Sequence, residues 1–205
     1  MKKIAFIGAG SVIFTTAVIA DIATFPAFDD AHIALMDINP HHLSEIKKCV
    51  ERIKEERGVH FTITATEDRA EALRDADAVL CTVFNGDIDI WRHEIEIPEK
   101  YGVSMNIGDT RSVAGIFRAL RNSVLMCDIC SDIEKYCPNA VFLNYTNPMA
   151  MLCKAMQTLH PNVDVTGLCH SVQETSQMLA KWADVDYSGV KYTCIGINHM
   201  AFFIE

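Results

Sequence analysis

An apolar run at residues 3–7 breaks at Gly8-Ala9-Gly10-Ser11, and a helical pattern follows over residues 12–24. A strand, a tight glycine turn and a helix in that order form the opening unit of a dinucleotide-binding fold. Gly8 falls where the turn is tightest and Gly10 where the backbone must approach a pyrophosphate. Free amides at the N-terminus of the following helix can then bind it, and Ala9 and Ser11 are cofactor-binding candidates with the two glycines. Ile13 stands where the fingerprint has its third glycine. The next apolar run, residues 32–36, ends in Asp37, 29 residues after Gly8 (37 − 8 = 29). A carboxylate in that region accepts the hydroxyls of an adenosine ribose and repels a 2′-phosphate, so Asp37 favours NAD over NADP.

The alternation continues along the chain. Asn39-Pro40 opens a long helix to about Gly58, and strands are expected at residues 61–65, 78–84, 140–143, 164–168 and 190–197, with helices between them. Strands alternating with helices imply a parallel sheet, so the fold class is α/β: a doubly wound, Rossmann-like, lactate/malate dehydrogenase-like sheet. Residues 1–195 are expected to form the cofactor domain, with 196–205 beginning a second, α+β domain. A net charge of −9 and the absence of any basic run longer than two residues argue against nucleic acid or an anionic membrane as partner. The apolar stretch after Met1-Lys2-Lys3 is too short for a signal peptide, and no run is long enough to span a bilayer, which points to a cytoplasmic protein with a small-molecule substrate. The eight cysteines read as reduced thiols.

Several polar residues fall where strands end. Asn85-Gly86-Asp87 follows the fourth strand, at the edge where a nicotinamide lies, and makes Asn85 a cofactor-binding candidate. The loop from Asn106 to Ser112 offers amides, the Asp109 carboxylate and Arg111 to a polyhydroxylated ligand. Asn144-Tyr145-Thr146-Asn147-Pro148 ends another strand, with Pro148 as the expected first helical residue and Asn147 as its cap. Cys169-His170 ends the next, and His199 lies 30 residues beyond Cys169 (199 − 169 = 30). A thiolate and an imidazole at one sheet edge can share a divalent metal. Cys127, Cys130 and Cys137 lie within a helical run without a second Cys-x-x-Cys pair, so they read as core. Glu94, Glu96, Lys100, Arg118 and Arg121 read as solvated charges.

Taken together, these segments resemble glycoside hydrolase family 4, the NAD- and metal-dependent glycosidases. The resemblance is carried by residues 3–11, by Ile97-Pro98-Glu99-Lys100-Tyr101-Gly102, by Gly108-Asp109-Thr110 with residues 115–121, by Asn144-Tyr145-Thr146-Asn147-Pro148, by Gly167-Leu168-Cys169-His170-Ser171-Val172-Gln173 and by Gly196-Ile197-Asn198-His199. The Cys-His-Ser-Val-Gln form looks like the α-galactosidase branch, with α-glucosidases and α-glucuronidases or galacturonidases next. The resemblance implies Mn²⁺ bound by Cys169 and His199, sugar contacts from Asn147 and Asp109, and a leaving-group acid at His170. It also implies a reaction in which the sugar is oxidised at C3, loses its aglycone by elimination, adds water and is reduced again, an exception to the two-carboxylate rule. Family members run to roughly twice this length and assemble as dimers or tetramers. These 205 residues alone are therefore expected to bind NAD while hydrolysing little. A lactate/malate-type hydroxy-acid dehydrogenase and a non-catalytic NAD-binding module are the alternatives.

Overall fold

The protein is described by a computed structural model covering residues 1–105, 112–197 and 200–204. Six parallel strands form one sheet: β1 (Lys3–Ile7), β2 (His32–Met36), β3 (Thr62–Thr66), β4 (Ala78–Cys81), β5 (Val141–Asn144) and β6 (Asp164–Gly167). Their order is β3-β2-β1-β4-β5-β6, so the winding reverses between β1 and β4. In sheets of this kind that reversal opens a ligand crevice at the carboxyl ends of the two strands. Among the described residues the α-helices are α1 (Val12–Ile22), α2 (Pro40–Arg57), α3 (Arg69–Leu73), α4 (Ile88–Glu99), α5 (Val113–Tyr136), α6 (Met149–Leu159) and α7 (Ser171–Trp182). β7 (Cys194–Ile197) and β8 (Met200–Phe203) pair antiparallel as a separate two-stranded sheet.

Side chains alternate across β1 to fill two cores. Ile4 and Phe6 pack with Ile19 of α1 and with Ile46 and Val50 of α2, while Ala5 and Ile7 face Met126, Ile129 and Ile133 of α5 and Leu152 of α6. A parallel strand covered on both faces has no polar side, which is why residues 3–7 read as an unbroken apolar run. Phe6, Phe61 and Phe142 are among the largest fully buried side chains, each worth roughly 1.5–3 kcal/mol in apolar transfer. Among the described residues no helix is long and apolar enough to cross a membrane.

Local chemistry sets the element ends. Asn39 Oδ1 caps α2 by accepting from the His41 and His42 amides, and Gly58 closes that helix at φ +67°. β4 stops at Cys81, short of the expected Phe84, because the Val83 amide donates to Thr146 Oγ1 at 3.0 Å instead of joining the ladder. Pro148 is extended (ψ 111°), so it stands outside the helix it was expected to start. The Asn147 carboxamide accepts from the Met149 amide at 3.2 Å and begins α6 one residue later. The strand expected over 190–197 begins only at Cys194, because Asp186 turns Tyr187–Gly189 into a 3-10 turn through bonds to Ser188.

Candidate functional site

The glycine turn is built to leave no room. Gly8 adopts φ +80°, and a Cβ there would stand 2.7 Å from the Thr82 carbonyl oxygen. A Cβ on Gly10 would lie 2.7 Å from Asp37 Oδ2 and 2.8 Å from His42 Cβ. The turn is tied to β2 by the Gly8 and Ala9 amides, both donating to the Met36 carbonyl at 3.0 and 2.9 Å. α1 makes its first intrahelical bond from the Thr15 amide to the Ser11 carbonyl, so the amides before it have no acceptor within the helix. Asp37 closes the turn from the other side, its two oxygens accepting from the Gly10 amide (2.8 Å) and the Asn39 amide (2.9 Å). Each oxygen keeps a further acceptor site for a hydroxyl. Ile13, in place of the third glycine, is 82% exposed and lies on the open side of α1 instead of against the sheet.

Across the switch point, Asn85 is held on both its polar ends. Its backbone carbonyl accepts from Arg121 Nε at 2.6 Å, and its side-chain Nδ2 donates to the Arg121 backbone carbonyl at 3.2 Å. The expectation of solvated charges fails here. Glu94 is buried and forms ion pairs with both Arg118 and Arg121. Arg118 is itself buried, its Nε and a terminal nitrogen 2.8 Å from Glu94 Oε2, with its guanidinium against the Phe84 and Trp91 rings at 5.8–5.9 Å. The shared carboxylate offsets part of the desolvation of Glu94 and Arg118, while Arg121 stays partly exposed. Glu96 and Lys100 are exposed, as expected. So is the core assignment of Cys130 and Cys137 upheld: burial pushes their thiols up to about 12 and about 11.

The third part of the edge lies after β5 and β6. Thr146, buried, receives the Val83 amide, and Asn147 presents its carbonyl to Asn122 Nδ2 at 3.0 Å. Cys169 is half-buried, with its Sγ 3.1 Å from Ser171 Oγ. His170 is exposed just ahead of α7, its ring against Phe14 of α1 (5.4 Å) and Tyr145 (5.8 Å), which are themselves 5.7 Å apart. This three-ring contact joins the helix of the glycine turn to the loops after β5 and β6. Burial, then the neighbouring charges of Asp21 and Cys169, raise the Tyr145 hydroxyl above its ordinary range. Cys169 lines a cleft of about 740 Å³ with Met149, Gly167, Leu168, Gln173 and Gly196. A Cβ on Gly167 would meet the side-chain atoms Met149 Cγ at 2.8 Å and Cys153 Sγ at 2.9 Å, so these would have to shift.

Thus Gly8, Ala9, Gly10, Ser11 and Asp37 are joined in one turn, with Asn85, Asn147, Cys169 and His170 on loops at the same carboxyl edge. Asp109 and His199 lie outside the described residues. Among the described residues no three His, Cys, Asp or Glu side chains converge on a metal position. Sequence reasoning missed the Glu94 cluster, Asn122, Thr146 and the Phe14–Tyr145 rings. The one available hint was the i, i+3 spacing of Arg118 and Arg121 beside apolar neighbours.

A sequence profile for the family 4 glycosyl hydrolases matches residues 3–185. The chain is 40% identical to an alpha-galactosidase of Bacillus subtilis (strain 168) over 100% of its own length and 48% of that protein's. It is 39% identical to an alpha-galactosidase of Rhizobium meliloti (strain 1021), over 99% of itself and 41% of that relative. The chain therefore spans about half the length of the curated relatives it matches. Its backbone course is shared with a 6-phospho-beta glucosidase from Thermotoga maritima solved with manganese, NAD⁺ and glucose-6-phosphate, at a TM-score of 0.87 and 21% identity over 99% of this chain and 48% of that one.

Proposed function

The chain belongs to the family 4 glycosyl hydrolases, and from that premise we propose that the protein hydrolyses an α-galactoside using NAD and Mn²⁺. The observation that carries the cofactor is the Gly8–Gly10 cradle closed by Asp37, where a Cβ at either glycine would come within 2.7 Å of a neighbouring oxygen. That cradle fits a pyrophosphate and an unphosphorylated ribose. The choice of sugar is supported by the two alpha-galactosidases that match over essentially the whole chain.

For the metal, the fit rests on chemistry and access. Cys169 is a half-buried thiol on the wall of a 740 Å³ cleft, a soft donor with room beside it for sugar oxygens. Cys169 and His199 would hold the ion, and Gly8, Ala9, Gly10, Ser11, Asp37 and Asn85 the dinucleotide. When bound, the pair supply a reversible hydride acceptor and a Lewis acid for the sugar hydroxyls. With both bound, the sugar would be oxidised at C3, lose its aglycone by elimination, add water and be reduced again, so the cofactor would end each turnover unchanged. The chain's own residues do the rest. The amides of the first turn of α1 bind and orient the pyrophosphate that the glycine turn lets approach, Asp37 accepts the ribose hydroxyls, and the carboxamide of Asn147 orients the sugar. The exposed imidazole of His170, braced by Phe14 and Tyr145, hands a proton to the departing oxygen.

Calorimetric titration is expected to show NAD⁺ binding in preference to NADP⁺. Turnover of a nitrophenyl α-galactoside, at whatever rate the chain sustains, is expected to need both NAD⁺ and Mn²⁺ and to vanish with a chelator or in Cys169→Ser. Net NADH production from a hydroxy acid in the presence of chelator would instead establish the dehydrogenase alternative and overturn the proposal.

A further inference from the structure

Two consecutive residues of α5 reach different loops of the sheet edge. Arg121 Nε donates to the Asn85 carbonyl at 2.6 Å, and Asn122 Nδ2 donates to the Asn147 carbonyl at 3.0 Å. The first loop follows β4 and the second follows β5, so one helix position bridges the loop assigned to the cofactor and the loop assigned to the sugar. Arg121 is fixed in turn: its carbonyl accepts from Asn85 Nδ2, and its guanidinium pairs with the buried Glu94, which also holds Arg118. The backbone beside it is close-packed. Gly86 adopts φ +123°, and a Cβ there would lie 2.9 Å from Ile90 Cδ1 and 3.6 Å from Arg121 Nε. Asn122 is 1% exposed and its Oδ1 has no hydrogen-bond partner, so the residue bears a burial cost while its amide serves the Asn147 carbonyl. A residue needed only for packing would carry less penalty as leucine.

We infer that Arg121 and Asn122 are positioning residues that set the spacing of the nicotinamide-side loop and the sugar-side loop, with Glu94 locking Arg121 in place. Neither touches a reacting atom; each acts through the backbone carbonyl it holds. The assignment of the two loops to cofactor and sugar rests on the proposed function, whereas the clamp itself does not.

Hydrogen exchange and NAD⁺ titration of the purified chain separate the two. Arg121→Lys keeps a cation beside Glu94 but lacks the Nε donor, and Arg121→Met lacks both. Each is expected to speed amide exchange across residues 84–87 and to weaken NAD⁺ binding on the order of tenfold, the usual scale for residues that orient a primary contact. Asn122→Leu, which also removes the unpartnered oxygen and so should fold, is expected to speed exchange across 145–149 and leave NAD⁺ affinity unchanged. Arg121→Lys behaving like the parent, or each variant loosening both loops equally, would overturn the clamp. Absence of NAD⁺ binding by the parent would overturn the proposed function, while the exchange data would still decide the clamp.

Discussion

Gly8→Ala tests the cradle most directly, with Gly58→Ala as its matched control. Both glycines are left-handed, at φ +80° and +67°. Placing an L side chain there costs roughly 1–2 kcal/mol, partly offset by about 0.4–1 kcal/mol of lost unfolded-state freedom. At Gly58 nothing lies within 4 Å of the added methyl, so this net cost of roughly 0–1.6 kcal/mol is the whole effect. At Gly8 the methyl would stand 2.7 Å from the Thr82 carbonyl oxygen and 3.0 Å from Val83 Cγ1. The obstacle is backbone, and it is pinned by the Thr82 amide donating to Ile7 and the Thr82 hydroxyl donating to Gly8. Relieving such overpacking adds about 1–3 kcal/mol. With a urea slope of roughly 2 kcal/mol per molar, Gly8→Ala should unfold about 0.5–1.5 M earlier than Gly58→Ala. NAD⁺ at a hundredfold excess over Kd should stabilise the parent and Gly58→Ala by about 2.7 kcal/mol and Gly8→Ala by much less. Equal midpoints for the two variants, or equal stabilisation by NAD⁺, would refute the account of the turn.

Three further outcomes follow from particular contacts. Glu94→Ala leaves two guanidiniums in the α4–α5 contact without their carboxylate, and should cost about 3–5 kcal/mol in urea unfolding; a loss below that of an exposed ion pair would contradict the buried triad. The thiols of Cys81 and Cys130 are pushed up to about 12 by burial, so at pH 8 only about one molecule in 10⁴ is thiolate (12 − 8 = 4 units). Iodoacetamide with peptide mapping should therefore modify half-buried Cys169 well before either. Bonds from the Lys2 ammonium and the Lys3 amide hold the Asp77 carboxyl below its usual range, so its contribution is present above the unfolded-state value and is lost as pH falls through the folded one. The side chain is 41% exposed, which limits the effect to about 0.5 kcal/mol; Asp77→Asn should lose correspondingly less stability than the parent on acidification, as read from urea midpoints.

What could be read from the sequence is what depends on neighbours along the chain. The Gly8 turn, the Asn39 cap, the Gly58 stop and the apolar strands are decided within a few residues, and they appear where the pattern puts them. Element ends that failed depend on particular side-chain contacts, one distant and one local. β4 ends early because of a threonine 63 residues away, and the residues before β7 are diverted by a local Asp186–Ser188 turn that alternation does not encode. The charged helix faces failed for a related reason. Arg118 and Arg121 lie 24 and 27 residues after Glu94, and at i, i+3 spacing a solvated pair and a buried one look alike.

The division has a functional consequence. Residues with recognisable chemistry sit on loops at the carboxyl edge, and a loop alone cannot hold a side chain to the tolerance that positioning demands. Here the holding is done from beneath by residues without a motif: Thr146 spans the loops after β4 and β5, Asn122 and Arg121 reach both from α5, and Phe14 leans from the glycine-turn helix onto His170. A shift in any one of these loops is thereby felt by the others through direct contacts. Substitutions in this support should alter how the pieces of the site are spaced while leaving each piece chemically intact, which is why Arg121→Lys is more informative about the edge than removal of any residue on it.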